Sequence, residues 1–553
     1  MDRSQILVAE PIFPLKGRLV APTHVLEAQQ PSQQRSPLHC NCNCKMLPLL
    51  FLSALPLANA APSSPSPSIA WKNCTVNNFP ALATLPGVDA FVDQLGTAPH
   101  LDCGELRVPL DWSRPNGKKI TLGMARYRAA PAGQRLGSLI YNPGGPGGPG
   151  SLSALGEAAG VSSTYTNGTT GYYDVIGYDP RGIGLSTRIK CDPELFNNYA
   201  SVFPTTEGEF DALVARNRAL GESCRDLTGD LFYHVDTTQA ARDLEAVRVA
   251  LGEEKLNWVG LSYGSQLGAA YAELFPTHVG RMVLDGNLDH AQSSETDVLH
   301  TEVATYEDVL NQFFNWCDAT ASEEECPLKG QDIAQLFDDL ISAAETSPID
   351  AASCTETTCR SPVTGEDILF SAQGYLVYES TWPALAQALN ATLAGDATAL
   401  ASSRIATAQD SPYYPDIAIG CLDWSHNASS LSELSYKATL ARYLAPHTRG
   451  ASQSYRYQAS CIGWPAPLSN PPHKLNAKNM AKAPPILLVN AFHDPSTSFV
   501  WANAMLEQIP SGVLLARSGN GHTSYGLGGE VDRRIDAFLV HGTLPEQNTV
   551  LDE

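Results

Sequence analysis

Between Ile120 and Asp289 the chain alternates short apolar runs with turns. Ser138-Leu139-Ile140-Tyr141 stops at a glycine cluster, and Asp174-Val175-Ile176-Gly177-Tyr178 stops at Asp179-Pro180-Arg181-Gly182. Runs this short, bounded by turn residues, predict buried strands. Thr237 to Leu251 follows a different period, with Ala240, Leu244, Val247 and Leu251 on one helical face. Asp236 with Gln239 reads as a capping box there, and Gly252 stands where a C-terminal cap belongs. Asn257-Trp258-Val259 and Arg281-Met282-Val283-Leu284 return to strand character. Strands alternating with helices predict a mostly parallel central sheet with helices on both faces.

From about Ala291 to Met480 the pattern becomes helical and Ala-rich, with little strand signal. Strand character returns at Pro485-Ile486-Leu487-Leu488-Val489 and at Gly512-Val513-Leu514-Leu515-Ala516. The expected organisation is one α/β core in two parts, residues 61–290 and 481–553, interrupted by a mainly helical lid at 291–480. No repeat at solenoid spacing and no separating linker interrupts this scheme.

The N-terminal segment predicts export. An apolar run from Met46 to Leu57, preceded by Lys45, ends in Ala58-Asn59-Ala60 and a loose polar tract. That reads as a cleaved signal peptide at 46–60 of a 1–60 leader, too short for a stable membrane anchor, with Met46 favoured as the start. A cut after Ala60 removes Cys40, Cys42 and Cys44 from thirteen cysteines and leaves ten, an even set suited to disulfides. Connectivity is not fixed by sequence. A nearest-neighbour scheme pairs Cys74 with Cys103, Cys191 with Cys224, Cys317 with Cys326, Cys354 with Cys359 and Cys421 with Cys461. Sequons at Asn73, Asn167, Asn390 and Asn427 fit a eukaryotic secretory route, and a secreted protein is expected. Lys+Arg 36 against Asp+Glu 58 gives a formal charge of −22, which repels phosphate backbones and argues against a nucleic-acid partner.

Gly260-Leu261-Ser262-Tyr263-Gly264 carries the chemistry. A serine hydroxyl needs a base, itself held by a third group, and G-x-S-x-G exposes the serine at a sharp strand-to-helix turn. Trp258-Val259 supplies the strand and Ser265 to Ala272 the helix. The acid and the histidine should follow in that order at strand ends. Asp494 lies just beyond Ile486 to Val489, and His522 follows the next strand on a glycine-rich loop. His493 is the competing base, discounted because it directly precedes Asp494 and would leave His522 unexplained. Asn142-Pro143-Gly144-Gly145-Pro146-Gly147 follows a strand and predicts an oxyanion loop, with the Gly145 amide paired with that of Tyr263. A phosphate loop is excluded, since no Gly-Lys-Ser/Thr follows the glycines. No metal site and no cofactor are implied.

Together these motifs resemble the α/β-hydrolase fold, on its proline-iminopeptidase side and in its tripeptidyl-aminopeptidase-like branch. The resemblance rests on Asn142 to Gly147, Asp179 to Ser186, Ala240-Ala241-Arg242-Asp243-Leu244, Gly260 to Gly264, Arg281 to Gly286, Asp494-Pro495 and Gly521-His522. It implies a serine peptidase that releases short peptides from N-termini, with Asp179 and Arg181 structural. It also implies carboxylates that hold the substrate α-amine, for which Asp423 and Asp285 are candidates. One departure stands out: Asp494-Pro495-Ser496-Thr497-Ser498 has Ser where relatives often carry a second proline. An esterase or lactonase acting on small esters is the alternative, because fold and triad do not fix the substrate.

Overall fold

The computed structural model describes residues 68–128 and 133–552. The leader at 1–60, its signal peptide and Cys40, Cys42 and Cys44 lie outside the described residues.

Each apolar run of the core forms a strand whose alternate residues leave opposite faces. The strands are β1 (Leu101–Pro109), β2 (Lys119–Tyr127), β3 (Gly137–Asn142), β4 (Tyr173–Tyr178), β5 (Leu256–Leu261), β6 (Val279–Asp285), β7 (Ile486–His493), β8 (Gly512–Asn520) and β9 (Thr549–Leu551). They form a nine-stranded sheet in the order β1-β2-β4-β3-β5-β6-β7-β8-β9. The pairs β1–β2 and β2–β4 are antiparallel, and every later pair is parallel. On one face Ile140, Trp258, Met282 and Leu488 pack with Leu244 and Leu267. On the other, Leu139, Val259, Val283 and Leu487 pack with Leu155, Val531 and Phe538. The two-residue period of a strand and the helices on both faces therefore account for two separate cores. This is the α/β-hydrolase architecture.

The helix Thr237–Leu251 begins where Asp236 accepts the Gln239 amide at 3.0 Å and ends at Gly252 in the left-handed region. The helix Glu207–Thr228 escaped the sequence reading, although Thr206 and Glu209 form a full capping box at its start. Between β6 and β7 the chain runs mainly as helices, among them Glu295–Asn315, Gly365–Tyr375, Tyr414–Asp423 and Gln453–Cys461. These helices hold a core of their own around Phe313, Phe337, Ile341 and Trp382.

All ten cysteines among the described residues are bonded, in five pairs: Cys74–Cys103, Cys191–Cys224, Cys317–Cys326, Cys354–Cys359 and Cys421–Cys461. Asn73, Asn167, Asn390 and Asn427 are all exposed. Among the described residues no helix is long and apolar enough to cross a membrane.

Beneath the sheet's active end lies a sealed ion pair. Arg181 and Asp243 are fully buried and meet through two bonds of 2.7 and 2.6 Å, and Trp112 Nε1 donates to the same carboxylate at 2.8 Å. The remaining guanidinium hydrogens reach the carbonyls of Leu110, His234 and Pro109. Asp179 accepts from the Ser151 amide and hydroxyl and from the Leu185 amide. Both residues brace the loop after β4.

Candidate active site

Ser262 sits between β5 and the helix Tyr263–Leu274 with φ 56° and ψ −121°. A non-glycine residue at positive φ costs about 1–3 kcal/mol and persists only where its surroundings enforce it. Here the Ser262 amide donates to the Asp285 carbonyl at 2.8 Å, and the Ser265 hydroxyl donates back to the Ser262 carbonyl at 2.6 Å. The flanking glycines are demanded by space. A Cβ on Gly260 would stand 2.3 Å from the Gly264 carbonyl, and one on Gly264 would stand 2.9 Å from Asn142 Oδ1.

Asp494 follows β7 and is fully buried. It accepts the amides of Ser496 at 2.9 Å and Thr497 at 2.8 Å, and the Thr497 hydroxyl at 2.8 Å. His522 Nδ1 lies 2.9 Å from both Asp494 oxygens. Burial pulls the His522 imidazole down, but the adjacent Asp494 carboxylate outweighs it and leaves the pKa above its ordinary value. With Nδ1–H donating to Asp494, Nε2 is left as the proton acceptor. The insertion fixes this loop from above: the His522 amide donates to the Val377 carbonyl at 2.7 Å. Gly286 links the two halves of the site. It directly follows Asp285, which holds Ser262, and a Cβ on it would come within 3.2 Å of His522 Cε1.

Gly145 and Ser262 line one cleft, which encloses about 770 Å³ of space partly open to solvent. A Cβ on Gly144 would stand 3.0 Å from the Tyr263 nitrogen, so the glycine loop lies directly against the start of that helix. The loop that carries Gly145 is therefore on backbone neighbouring the Tyr263 amide and the Ser262 Cβ. His493 is elsewhere engaged, with Nδ1 at 2.5 Å from Asp308 of the helix Glu295–Asn315.

The two carboxylates expected to hold a substrate amine do not face this cleft. Asp423 is fully buried and accepts the Thr237 amide at 3.0 Å, the Thr237 hydroxyl, and Asn470 Nδ2 at 2.8 Å. Burial and the nearby charge of Asp236 push it up to about 7. Its work is structural: it tethers the helix Tyr414–Asp423 to the start of Thr237–Leu251, whose Thr237 hydroxyl also meets the Tyr263 hydroxyl at 2.6 Å. Asp285 is equally sealed, accepting the amides of Ser524 and Tyr525 at 2.7 Å each, and burial pushes it up to about 6. It braces the segment just after His522.

The acidic residues that do line the cleft are Asp289, Glu295 and Glu302, and no Lys or Arg lines it. Glu295 is neutralised by Lys437. Asp289 accepts the Ala291 amide at 3.0 Å and Gln508 Nε2 at 2.9 Å. Glu302 is 1% exposed and forms no salt bridge, although Arg456 and His522 lie within electrostatic range of it. It accepts the amides of Gln453 at 3.0 Å and Ser454 at 2.7 Å, and Gln373 Nε2 at 3.4 Å. Burial holds its carboxyl above the usual range despite these donors. Sequence reasoning missed it, yet a signal was present. Glu302 falls among Leu299, Val303, Tyr306 and Leu310, a carboxylate inside the apolar stripe of an amphipathic helix.

The chain is similar to known hydrolases and peptidases. Residues 137–337 match the family described as alpha/beta hydrolase fold, and residues 446–551 match the family described as TAP-like protein. The chain is 29% identical to a tripeptidyl aminopeptidase of Streptomyces lividans over 462 residues, covering 80% of this chain and 82% of that one. It is 29% identical to the serine protease Hip1 of Mycobacterium tuberculosis, covering 80% and 86%. It is also 29% identical over 524 residues to a carboxylesterase B of Mycobacterium tuberculosis, covering 90% and 93%.

Proposed function

Because the chain belongs to the TAP-like α/β-hydrolases and is a serine hydrolase, we propose that it is a secreted aminopeptidase that releases short peptides from N-termini. Ser262 Oγ attacks the scissile carbonyl while His522 Nε2 takes its proton, and Asp494 holds the imidazole and stabilises the cation that forms. The Gly145 and Tyr263 amides receive the oxyanion, each worth about 3–4 kcal/mol in the transition state. His522 then protonates the leaving amine. Water, deprotonated by the same imidazole, releases the acyl peptide from Ser262.

The observation that carries the peptidase reading is Glu302, a buried carboxylate in the Ser262 cleft with no salt bridge of its own. An isolated buried charge is costly unless something pairs with it, and a protonated α-amine is the partner that the cleft lacks. Glu302 thus takes the role first expected of Asp423 and Asp285. Residues 291–480, which contribute Glu302, act as the lid that sets substrate length. Five disulfides and four exposed sequons support secretion. Similarity to a carboxylesterase supports a second reading, in which small esters are the substrates.

Tripeptidyl, prolyl and butyryl chromogenic substrates assayed side by side separate the two. The aminopeptidase reading expects cleavage of free-amine peptides and loss of that cleavage on N-acetylation. Ester turnover without cleavage of any free-amine peptide would overturn it.

A further inference from the structure

A second, larger cavity, enclosing about 1790 Å³ of space partly open to solvent, lies between the insertion and the helix Glu207–Thr228, and its chemistry is opposite to that of the Ser262 cleft. Arg216, Arg360, Arg404 and Arg456 all line it. In a chain of net charge −22, four guanidiniums around one cavity need a reason.

Their local partners do not neutralise them all. Arg360 is paired with Asp367, and Arg404 with Asp416 at 2.7 Å. The other carboxylate in the cavity wall beside Asp367, Glu366, is taken by the Ser201 hydroxyl at 2.7 Å, and burial holds it above the usual carboxylate range. Arg216 bonds only neutral oxygens, the carbonyls of Phe196 at 2.7 Å and Asn198 at 3.1 Å and the side chain of Asn217 at 3.3 Å. Arg456 touches only rings, 5.7 Å from the centroid of Phe370 and 5.8 Å from that of Tyr457. Two guanidiniums therefore face the cavity without a salt bridge, although Asp416 and Glu302 act on Arg456 from a distance. Burial lowers Arg216 to about 10, with Arg404 and Arg360 adding to the shift, and burial and Arg404 lower Arg456. Each arginine is also braced by an aromatic ring, Arg360 over Tyr199 at 3.8 Å and Arg404 over Tyr413 at 5.0 Å. Stacked guanidiniums are held in position before any ligand arrives.

The cavity adjoins the reaction site at two points. Tyr457 forms part of the wall of both cavities. Val377, whose carbonyl holds the His522 amide, lines the arginine cavity. It thus reaches the backbone that carries His522, while Glu302 belongs to the Ser262 cleft.

Resting on the aminopeptidase reading, we propose that this cavity is a carboxylate subsite for the peptide downstream of the cut, with Arg456 and Arg216 as its free ligands. The carboxylate is either that of an acidic side chain or the peptide's own C-terminus. Planar guanidiniums pair with carboxylates through two parallel bonds, which gives the cavity selectivity as well as attraction.

The test measures kcat/KM for pentapeptides cut after the third residue. One arm compares a free C-terminus with its amide, and the other compares Asp with Asn downstream of the cut in C-terminal amides. The wild-type protein is expected to favour the carboxylate member of at least one pair by tenfold or more, less so at high salt. Arg456→Gln should collapse that ratio, and Arg456→Glu should reverse it toward a Lys-containing peptide. Because the readout is a ratio within each variant, partial loss of folded protein cancels. Binding of the same pairs to Ser262→Ala protein by calorimetry separates this inference from the one beneath it. If no peptide is cleaved but Arg456-dependent carboxylate binding persists, the aminopeptidase reading falls and the subsite stands. Equal turnover and equal binding of both members of each pair, or a preference that survives Arg456→Gln, would overturn the subsite.

Discussion

Replacing Glu302 with glutamine keeps the side-chain volume and removes its charge. A carboxylate offers about four lone-pair sites. Glu302 already accepts the Gln453 and Ser454 amides, the Gln373 side-chain amide and the Ser454 side chain, so a substrate amine must share these lone pairs and gains mainly from the carboxylate's charge. One hydrogen bond to a charged group contributes about 1.5–3 kcal/mol, so kcat/KM for a free-amine tripeptidyl substrate should fall about 10–150-fold. The assay is steady-state hydrolysis of that substrate beside a butyryl ester, which has no amine and should lose far less. The loss should appear mainly in KM, since the amine is held in the ground state as well as the transition state. Because burial raises the Glu302 carboxyl, KM for free-amine substrates should also climb as pH drops through that raised value. Equal losses on peptide and ester would mean that Glu302 only supports the 453–454 backbone, and no loss on either would remove it from the site.

Two further outcomes follow from the buried charges. His522 must be neutral to act as base and its pKa is raised, so kcat/KM should fall with decreasing pH along a limb centred above the ordinary histidine value. Asp494→Asn should move that limb to lower pH, because burial of the ring is then opposed only by Asp285 and Glu302, and should cost about 10⁴ in kcat. Asp243→Ala leaves Arg181 buried without its carboxylate, so it should lower stability by about 3–5 kcal/mol, read as a shift of the urea midpoint.

The strands β3 to β8, the helix Thr237–Leu251 and the order of Ser262, Asp494 and His522 were legible in the sequence, because they depend on local period and local turn chemistry. The antiparallel β1 and β2 were not, since their apolar residues are interrupted by Asp102, Glu105, Arg107 and Arg126. Asp423 and Asp285 were misread because an acidic residue near the right motif carries no mark of which way it points. Asp423 turns into the start of a helix and Asp285 into two backbone amides, contacts made across 186 and 239 residues of chain. Glu302 was hidden for the same reason. Its neighbours Gln373, Gln453 and Ser454 meet it only once the insertion has folded.

The most direct test of the account is the site of covalent labelling by a fluorophosphonate probe, read by intact mass and peptide mapping. The account predicts one adduct per chain, on Ser262, with none on Ser262→Ala and much slower labelling of His522→Ala. Equal labelling of Ser262→Ala, or an adduct mapped to another serine, would contradict it.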